Sequence, residues 1–215
     1  FLGQTLVSFG SMLASVFLIP VYIFLILFYQ PILLDFIYRV SGNENHKQVK
    51  IIVSKTKSVV QRYLIGLLIE TGIVAVMNII VLLILGIEYA ILLGILAALL
   101  NLIPYIGGLF GVGIPMIVAL ATAPSGWYAL YVLIGMYVIQ LIDNNYIVPK
   151  IVASKVKINA LFSILVVLAG NALWGIPGMF LSIPLLAILK LIFDTIEPLK
   201  PWGALLGDSM PKRVR

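Results

Sequence analysis

A short polar patch carries the most reactive side chains of this chain. Gln140, Asp143 and Asn144 stand at positions i, i+3 and i+4, so a helix would place all three on one face. Asn145 and Pro149 follow directly. An ionisable group inside a membrane is costly and usually faces a cavity or a partner. If this helix spans a membrane, the patch is therefore a candidate site for a solute or an ion.

A second carboxylic acid, Glu70, is surrounded by apolar sequence. It lies about 10 Å inside its apolar stretch, where a charged group needs a partner and a protonated one can carry a proton. Asn78 falls within about 80° of it on the helical wheel. The alternative for Glu70 is a hydrogen bond between helices or subunits. The alternative for Asp143 is a place among the lipid headgroups, solvated or paired with Lys150 or Lys155.

Membrane helices must position these groups, because the chain is too apolar for water. Its 215 residues are 62% hydrophobic and 10% charged, with a mean hydropathy of +1.18, against about 45–50% and about 25% in soluble domains. The almost wholly apolar stretches are 12–29, 64–123, 127–148 and 158–193. Runs of this length without alternation must satisfy their backbone internally as helices. The sequence predicts an all-α, polytopic membrane protein with about five to seven membrane segments.

Lys and Arg residues predict the topology and the domain organisation. They cluster at 39–62, 150–157 and 190–215, and short loops rich in these residues stay cytoplasmic. The net charge of +6 is thereby explained by topology and by attraction to anionic lipid, and nucleic acid is not a predicted partner. The predicted segments are a first membrane helix at 1–30, a cytoplasmic amphipathic helical segment at 31–62, a transport core at 63–193 and a cytoplasmic tail at 194–215.

Two apolar blocks, 88–123 and 158–193, are each interrupted near the middle. The interrupting residues are Asn101, Pro104, Gly107 and Gly108 in the first block and Asn171, Gly175, Pro177 and Gly178 in the second. Arms of about 16 to 19 residues are marginal for a full crossing. Because the first block is predicted to begin and end outside and the second inside, we predict two re-entrant hairpins of inverted orientation whose tips meet near the bilayer centre. Fully spanning arms are the alternative.

Broken helices leave backbone groups that must face protein or a wet cavity. Together with Asn101, Asn171 and Gln140, such tips suit a neutral polyhydroxylated solute, whereas Asp143 and Glu70 suit a monovalent cation or a proton. The alternative is that the glycines and prolines serve only close helix packing.

Three strings resemble the signature blocks of a known family. They are Asn-Leu-Ile-Pro-Tyr-Ile-Gly-Gly at 101–108, Gln-Leu-Ile-Asp-Asn-Asn-Tyr-Ile-Val-Pro at 140–149, and Gly-Ile-Pro-Gly-Met at 175–179 followed by Ile183-Pro184. Their order and spacing resemble the AI-2E family of bacterial transporters over most of the chain, least over 1–60. Many members carry Glu where this chain has Asp143, and members usually have two further N-terminal spans, so the chain is expected to be the C-terminal two-thirds of the family length.

The resemblance implies a multi-pass protein of the bacterial cytoplasmic membrane that exports a small polar solute such as the signalling molecule autoinducer-2. In another branch it implies exchange of Na⁺ or Li⁺ for protons. It also implies a homo-oligomer, such as a pentamer.

Other classes of protein find less support in the residues. No phosphate-binding loop of the type G-x-x-x-x-G-K-[ST] is present, which argues against a primary pump. A single histidine, His46, no cysteine and no carboxylate pair at catalytic spacing argue against an enzyme and predict no metal or other cofactor. A non-transporting membrane scaffold or regulator is the remaining alternative.

Overall fold

The computed structural model describes residues 16–42, 45–104, 106–152 and 158–208. Every regular element across these residues is a helix, which confirms the all-α membrane fold predicted from composition. The backbone contacts divide the chain into two units, residues 1–51 and 52–215.

The first unit contains a bent helix pair and the start of a longer helix. Helix α1 (Val16–Phe28) and helix α2 (Gln30–Ser41) meet at Tyr29 at an angle of 57°. Pro31 lies in the first turn of α2, where its missing N–H is tolerated but cannot continue the hydrogen bonds of α1. The bend therefore falls at the predicted end of the first membrane helix.

The second unit holds the remaining helices. They are α3 (His46–Ile84, which begins in the first unit), α4 (Ala90–Asn101), α5 (Ile106–Thr122), α6 (Trp127–Ile142) with a π-helical continuation (Asp143–Val152), α7 (Ala160–Thr195), a 3₁₀ turn (Glu197–Leu199) and α8 (Lys200–Leu206). The later part of the predicted cytoplasmic segment, from His46 onward, and the span that follows it form one helix, α3. Its sequence contains neither proline nor glycine between 46 and 62, so nothing interrupts the backbone hydrogen bonds there.

Close packing joins α4 to its neighbours. A Cβ atom added at Gly94 would lie only 2.8 Å from the backbone nitrogen of Ile79, so only glycine permits this approach of α4 to α3. The chain between these helices reverses through Gly86 and Tyr89, both with positive φ. The buried apolar residues behind this contact are Leu82, Ile87, Ala90, Leu93, Ala97, Ala119, Val132 and Met136. They fix the relative position of α3, α4, α5 and α6.

Helix α7 consists of two arms rather than one straight rod. Gly175 has φ 63° and ψ −140°, a conformation essentially restricted to glycine, and it separates the arms 160–174 and 176–195. A Cβ atom at Gly170 would overlap the carbonyl of Gly178, and one at Gly178 would overlap the carbonyl of Gly170. Residues eight positions apart would be about 12 Å apart along a straight helix. The arms are therefore folded back on each other at a glycine contact.

Helix lengths agree with a membrane protein. Among the described residues, three helical stretches are long and apolar enough to cross a bilayer: α3, residues 127–151, and α7. The count is four if α1 and α2 together form one bent span. Helices α4 and α5 are apolar but shorter.

Candidate functional site

Three polar side chains from three elements meet inside the second unit. The Nδ2 group of Asn101 donates a hydrogen bond to Oδ2 of Asp143 at 2.9 Å and a longer one to Oε1 of Glu70 at 3.4 Å. Only 4% of Glu70 and 1% of Asp143 is exposed. The two accepting oxygens are separated by no more than the sum of these distances. The structure therefore brings both candidate carboxyl groups to one amide.

Local structure explains how each group reaches this point. Asn101 is the last residue of α4, so its side chain stands at the tip of the α4–α5 hairpin. Asp143 begins the π-helical continuation of α6. The wider turn of a π-helix re-aims side chains, and such segments occur often at functional sites. Glu70 lies within the long helix α3.

One oxygen of this cluster lacks a partner. Oδ1 of Asp143 is buried and accepts no hydrogen bond from any residue that the structure describes. A buried acceptor without a donor is costly, and two neighbouring carboxylates repel each other strongly where the dielectric constant is low. A proton, a monovalent cation or a hydroxyl group of a solute would satisfy this oxygen. The burial of Asp143 also shows that this carboxyl group is not solvated.

A cavity of about 600 Å³ opens beside this cluster. Its lining residues are Tyr63, Leu67, Glu70, Asn101, Leu102, Ile103, Pro104, Gly108, Gln140, Asp143, Asn144, Val148, Ile158, Ser163 and Ile183. Gln140, Asp143 and Asn144 all line the cavity, as their spacing on one helix face predicted. Gln140 donates a long hydrogen bond to Asn144 at 3.5 Å along this face.

Some predicted site residues lie elsewhere. Gly107 is buried where a Cβ atom would overlap the backbone carbonyl of Leu100, which is a packing role at the hairpin tip. Asn145 is exposed and donates to the carbonyl of Leu141 in its own helix. Pro149 is exposed in the π-helical segment. None of the three lines the cavity.

The tip of α7 also lies outside this cavity. Asn171 and Pro177 are exposed, and neither Gly175 nor Gly178 is among the lining residues. Helix α7 and the residues before it instead contribute Ile158, Ser163 and Ile183. The tip of the α4–α5 hairpin therefore lines this cavity and the tip of α7 does not. A role for these four residues in a solute pathway stays a prediction.

Sequence reasoning missed part of the lining. Tyr63 and Leu67 precede Glu70 at i−7 and i−3, so the helical period of α3 places them on its face. That spacing was a usable signal. The sequence offered no comparable signal for Ser163, which lies in an apolar run. Its hydroxyl donates to the carbonyl of Asn159 one turn away.

Known proteins resemble the chain along most of its length. A family profile described as AI-2E family transporter matches residues 1–197. A protein of Haemophilus influenzae named "Putative transport protein" is 27% identical over 215 residues, covering 97% of this chain and 60% of its own length. "AI-2 transport protein TqsA" of Escherichia coli is 32% identical over 124 residues, covering 58% of this chain and 36% of its own length.

A third relative, "Putative transport protein YueF" of Bacillus subtilis, is 33% identical over 114 residues, covering 53% of this chain and 30% of its own length. Across these three proteins, the chain spans between 30% and 60% of the relative's length.

Proposed function

Since the chain is a membrane protein that belongs to the AI-2E family of transporters, we propose that it exports a small polar solute, such as autoinducer-2, across the bacterial cytoplasmic membrane. The cavity beside Glu70, Asn101 and Asp143 is the observation that carries this proposal. Its volume of about 600 Å³ falls within the range of about 300–1,000 Å³ typical of small-molecule sites. A bare cation would need far less room.

The lining of the cavity suits a small molecule that carries hydroxyl groups. Amides of Asn101, Gln140 and Asn144 offer both donors and acceptors, and the carboxyl groups accept hydrogen bonds. Apolar side chains such as Leu67 and Val148 complete the wall. A few polar groups on a mostly apolar wall are the usual composition of a small-molecule site.

The position of the α4–α5 tip supports a re-entrant hairpin. Helix α4 rises about 17 Å from Ala90 to Asn101, which is short of the roughly 30 Å of a hydrocarbon core. Asn101 bonds Glu70, which lies about 21 Å along α3 from the end of that helix at Ile84. We therefore place this tip within the membrane thickness, where its unwound residues 102–104 face the cavity rather than lipid.

Hydrogen bonding at the tip also indicates how transport proceeds. Asn101 ties the α4–α5 hairpin to both carboxyl groups. A solute with several hydroxyl groups can bond the free Oδ1 of Asp143 and also replace the bond from Asn101 to Oδ2, so binding loosens the hairpin from the π-helical continuation of α6. The broken helices then move against the other helices and expose the solute to the far side.

Flux measurements test the proposal. We expect purified protein in liposomes to release trapped autoinducer-2, detected by mass spectrometry, and Asn101→Ala and Asp143→Asn to slow release at least tenfold. Matched controls are Asn145→Ala and Glu88→Gln, since both residues are exposed and outside the cavity. Release at the wild-type rate by both site variants would remove these residues from the mechanism. No release by the wild-type protein would reject export and leave ion exchange, or a scaffold or regulator, as the function.

Exchange of Na⁺ or Li⁺ for protons is the second candidate, favoured by the unpartnered oxygen of Asp143 beside Glu70. It requires that an imposed sodium gradient acidify or alkalinise the liposome lumen. We expect this response to disappear in both Asp143→Asn and Glu70→Gln if the carboxyl pair carries the ions. A pH response that survives in both variants would exclude the pair as the exchange site.

The family resemblance further supports a homo-oligomer, such as a pentamer, as the assembled form. Native mass spectrometry of detergent-solubilised protein would give the subunit number directly, and a monomer would contradict this part of the proposal.

A further inference from the structure

A second, smaller chamber lies behind the cavity. It has a volume of about 10 Å³ and shares Asn101, Gly108 and Gln140 with the cavity. Its other lining residues are Val74, Asn78, Ala97, Gly107, Gly111, Val112, Met136 and Ile139. The shared residues therefore form the boundary between the two spaces.

Asn78 is the polar group on the far side of this boundary. It is 4% exposed, and its side chain makes no hydrogen bond with any residue inside the described ranges. Asn78 follows Glu70 by two helical turns, about 12 Å, along α3. The amide therefore continues the polar face of α3 beyond the carboxyl groups.

The chamber has the size and chemistry of a water site. A water molecule needs a space of roughly 10–15 Å³ and two to four polar partners. Amide groups of Asn78, Asn101 and Gln140 line this space. An apolar chamber of the same size would stay empty, but three amides can hydrate it.

Of the three residues at the boundary between the chamber and the cavity, only Gly108 has no side chain. A Cβ atom at Gly108 would lie 3.9 Å from Oε1 of Gln140 and in contact with nothing else outside its own helix turn. A larger side chain at 108 would therefore fill the gap facing Gln140. Gly113, further along α5, faces open space and offers a matched position.

We propose that the chamber holds water on Asn78 and is joined to the cavity through the gap between Gly108 and Gln140, so that the polar route continues past the carboxyl pair. The ligand class is water or a small desolvated cation. This inference rests on the proposed function in treating the cavity as part of a transport route.

Silver ions provide a direct probe, since they approach sodium ions in size and react with thiols. The chain has no cysteine, so Asn78→Cys introduces a unique thiol. Purified protein is exposed to silver nitrate in chloride-free buffer, unfolded, treated with a maleimide and weighed by mass spectrometry. The control is Leu82→Cys, one turn further along α3 in the apolar core and 0% exposed. We expect silver to block Cys at 78 at least tenfold faster than Cys at 82. Equal rates would overturn the proposal.

The gap is tested by a second pair of substitutions. Gly108→Val in the Asn78→Cys background should slow blocking at least tenfold, whereas Gly113→Val, with the same β-branched residue in the same helix, should leave the rate within twofold. An unchanged rate in Gly108→Val would overturn the passage between Gly108 and Gln140. Should Asn78→Cys fail to fold, Val74→Cys reports on the same chamber.

Blocking of the thiol by silver is measured without any solute flux. A failure of the proposed chamber can therefore be told apart from a failure of the proposed export. Rapid blocking through the gap in a protein that releases no solute would retain the chamber and reject the proposed export. Export that depends on Asp143, combined with slow blocking at 78, would retain export and reject the chamber.

Discussion

Asn101 is the residue on which the candidate site depends. A side-chain amide nitrogen carries two hydrogens, so one asparagine can donate to two acceptors at once. Glu70 and Asp143 use both of them. Aspartate at 101 would instead add a third carboxyl group, and alanine would leave two buried acceptors without their donor. Asparagine is therefore suited to position 101, because the tip of the α4–α5 hairpin approaches two carboxyl groups.

Removing this amide should lower stability in a way that depends on Asp143. Hydrogen bonds to charged groups contribute about 1.5–3 kcal/mol, so we expect Asn101→Ala to lower the thermal unfolding midpoint in detergent clearly more than the exposed control Asn145→Ala. In the Asp143→Asn background the same substitution should cost less, because the charged acceptor is gone. Equal losses in both backgrounds would show that Asn101 and Asp143 are not coupled.

The sequence predicted residues of the cavity lining where a local pattern points to them. Gln140, Asp143 and Asn144 share a face because the helical repeat requires it, and all three line the cavity. The bonds from Asn101 to Glu70 and Asp143 cross 31 and 42 residues. No local period encodes such separations, because they depend on how α4 packs between α3 and α6.

At the scale of elements, glycine rather than proline breaks α7. Pro177 lies in the first turn of the second arm, where a missing N–H costs little. Gly175 carries the positive φ that reverses the chain. The sequence predicted a break within this cluster, but not the residue that makes it, because proline and glycine both interrupt helices.

Substitution of Gly175 should therefore be costly although the space around it is open. No atom lies within 4 Å of a Cβ added there, so the cost of Gly175→Ala is conformational, on the order of 1–3 kcal/mol for an alanine forced into a backbone region essentially restricted to glycine. Gly113→Ala also enters open space but in a helical backbone, where alanine is favoured over glycine by up to about 1 kcal/mol. Thermal unfolding of both variants in detergent should give shifts of opposite sign. A neutral Gly175→Ala would contradict the reversed chain at 175.

The repeated pattern of Asn, Gly and Pro also predicted that the hairpin tips would meet. Each block is broken near its predicted centre, after Asn101 and at Gly175. A repeat in sequence specifies where a helix breaks, but not which surface the break contacts. The packing of Gly170 on Gly178 is a tertiary contact that the repeat does not encode. In the structure with this contact, Asn171 is exposed.

For the whole molecule, arm length decides how the hairpins sit in lipid. The first arm of α7 rises about 21 Å from Ala160 to Trp174, and the second descends about 21 Å from Ile176 to the first charged residue, Lys190. Lys190 forms an ion pair with Asp194, which fits a position at the membrane boundary. Since a hydrocarbon core measures roughly 30 Å, the tip of α7 should stop inside it.

Native tryptophans can measure this depth. The chain has three, Trp127, Trp174 and Trp202, so Phe substitution of two leaves one reporter. Trp174 is 62% exposed beside the α7 tip and Trp127 is 66% exposed at the start of α6, so lipid can reach both. We expect phosphatidylcholine brominated deep in its acyl chains to quench Trp174 more than Trp127, and lipid brominated near the headgroup to quench Trp127 more. Because Trp127 begins a helix at a predicted interface, it calibrates the shallow limit. Equal, shallow quenching of both tryptophans would place the α7 tip at an aqueous boundary and make its arms ordinary spans.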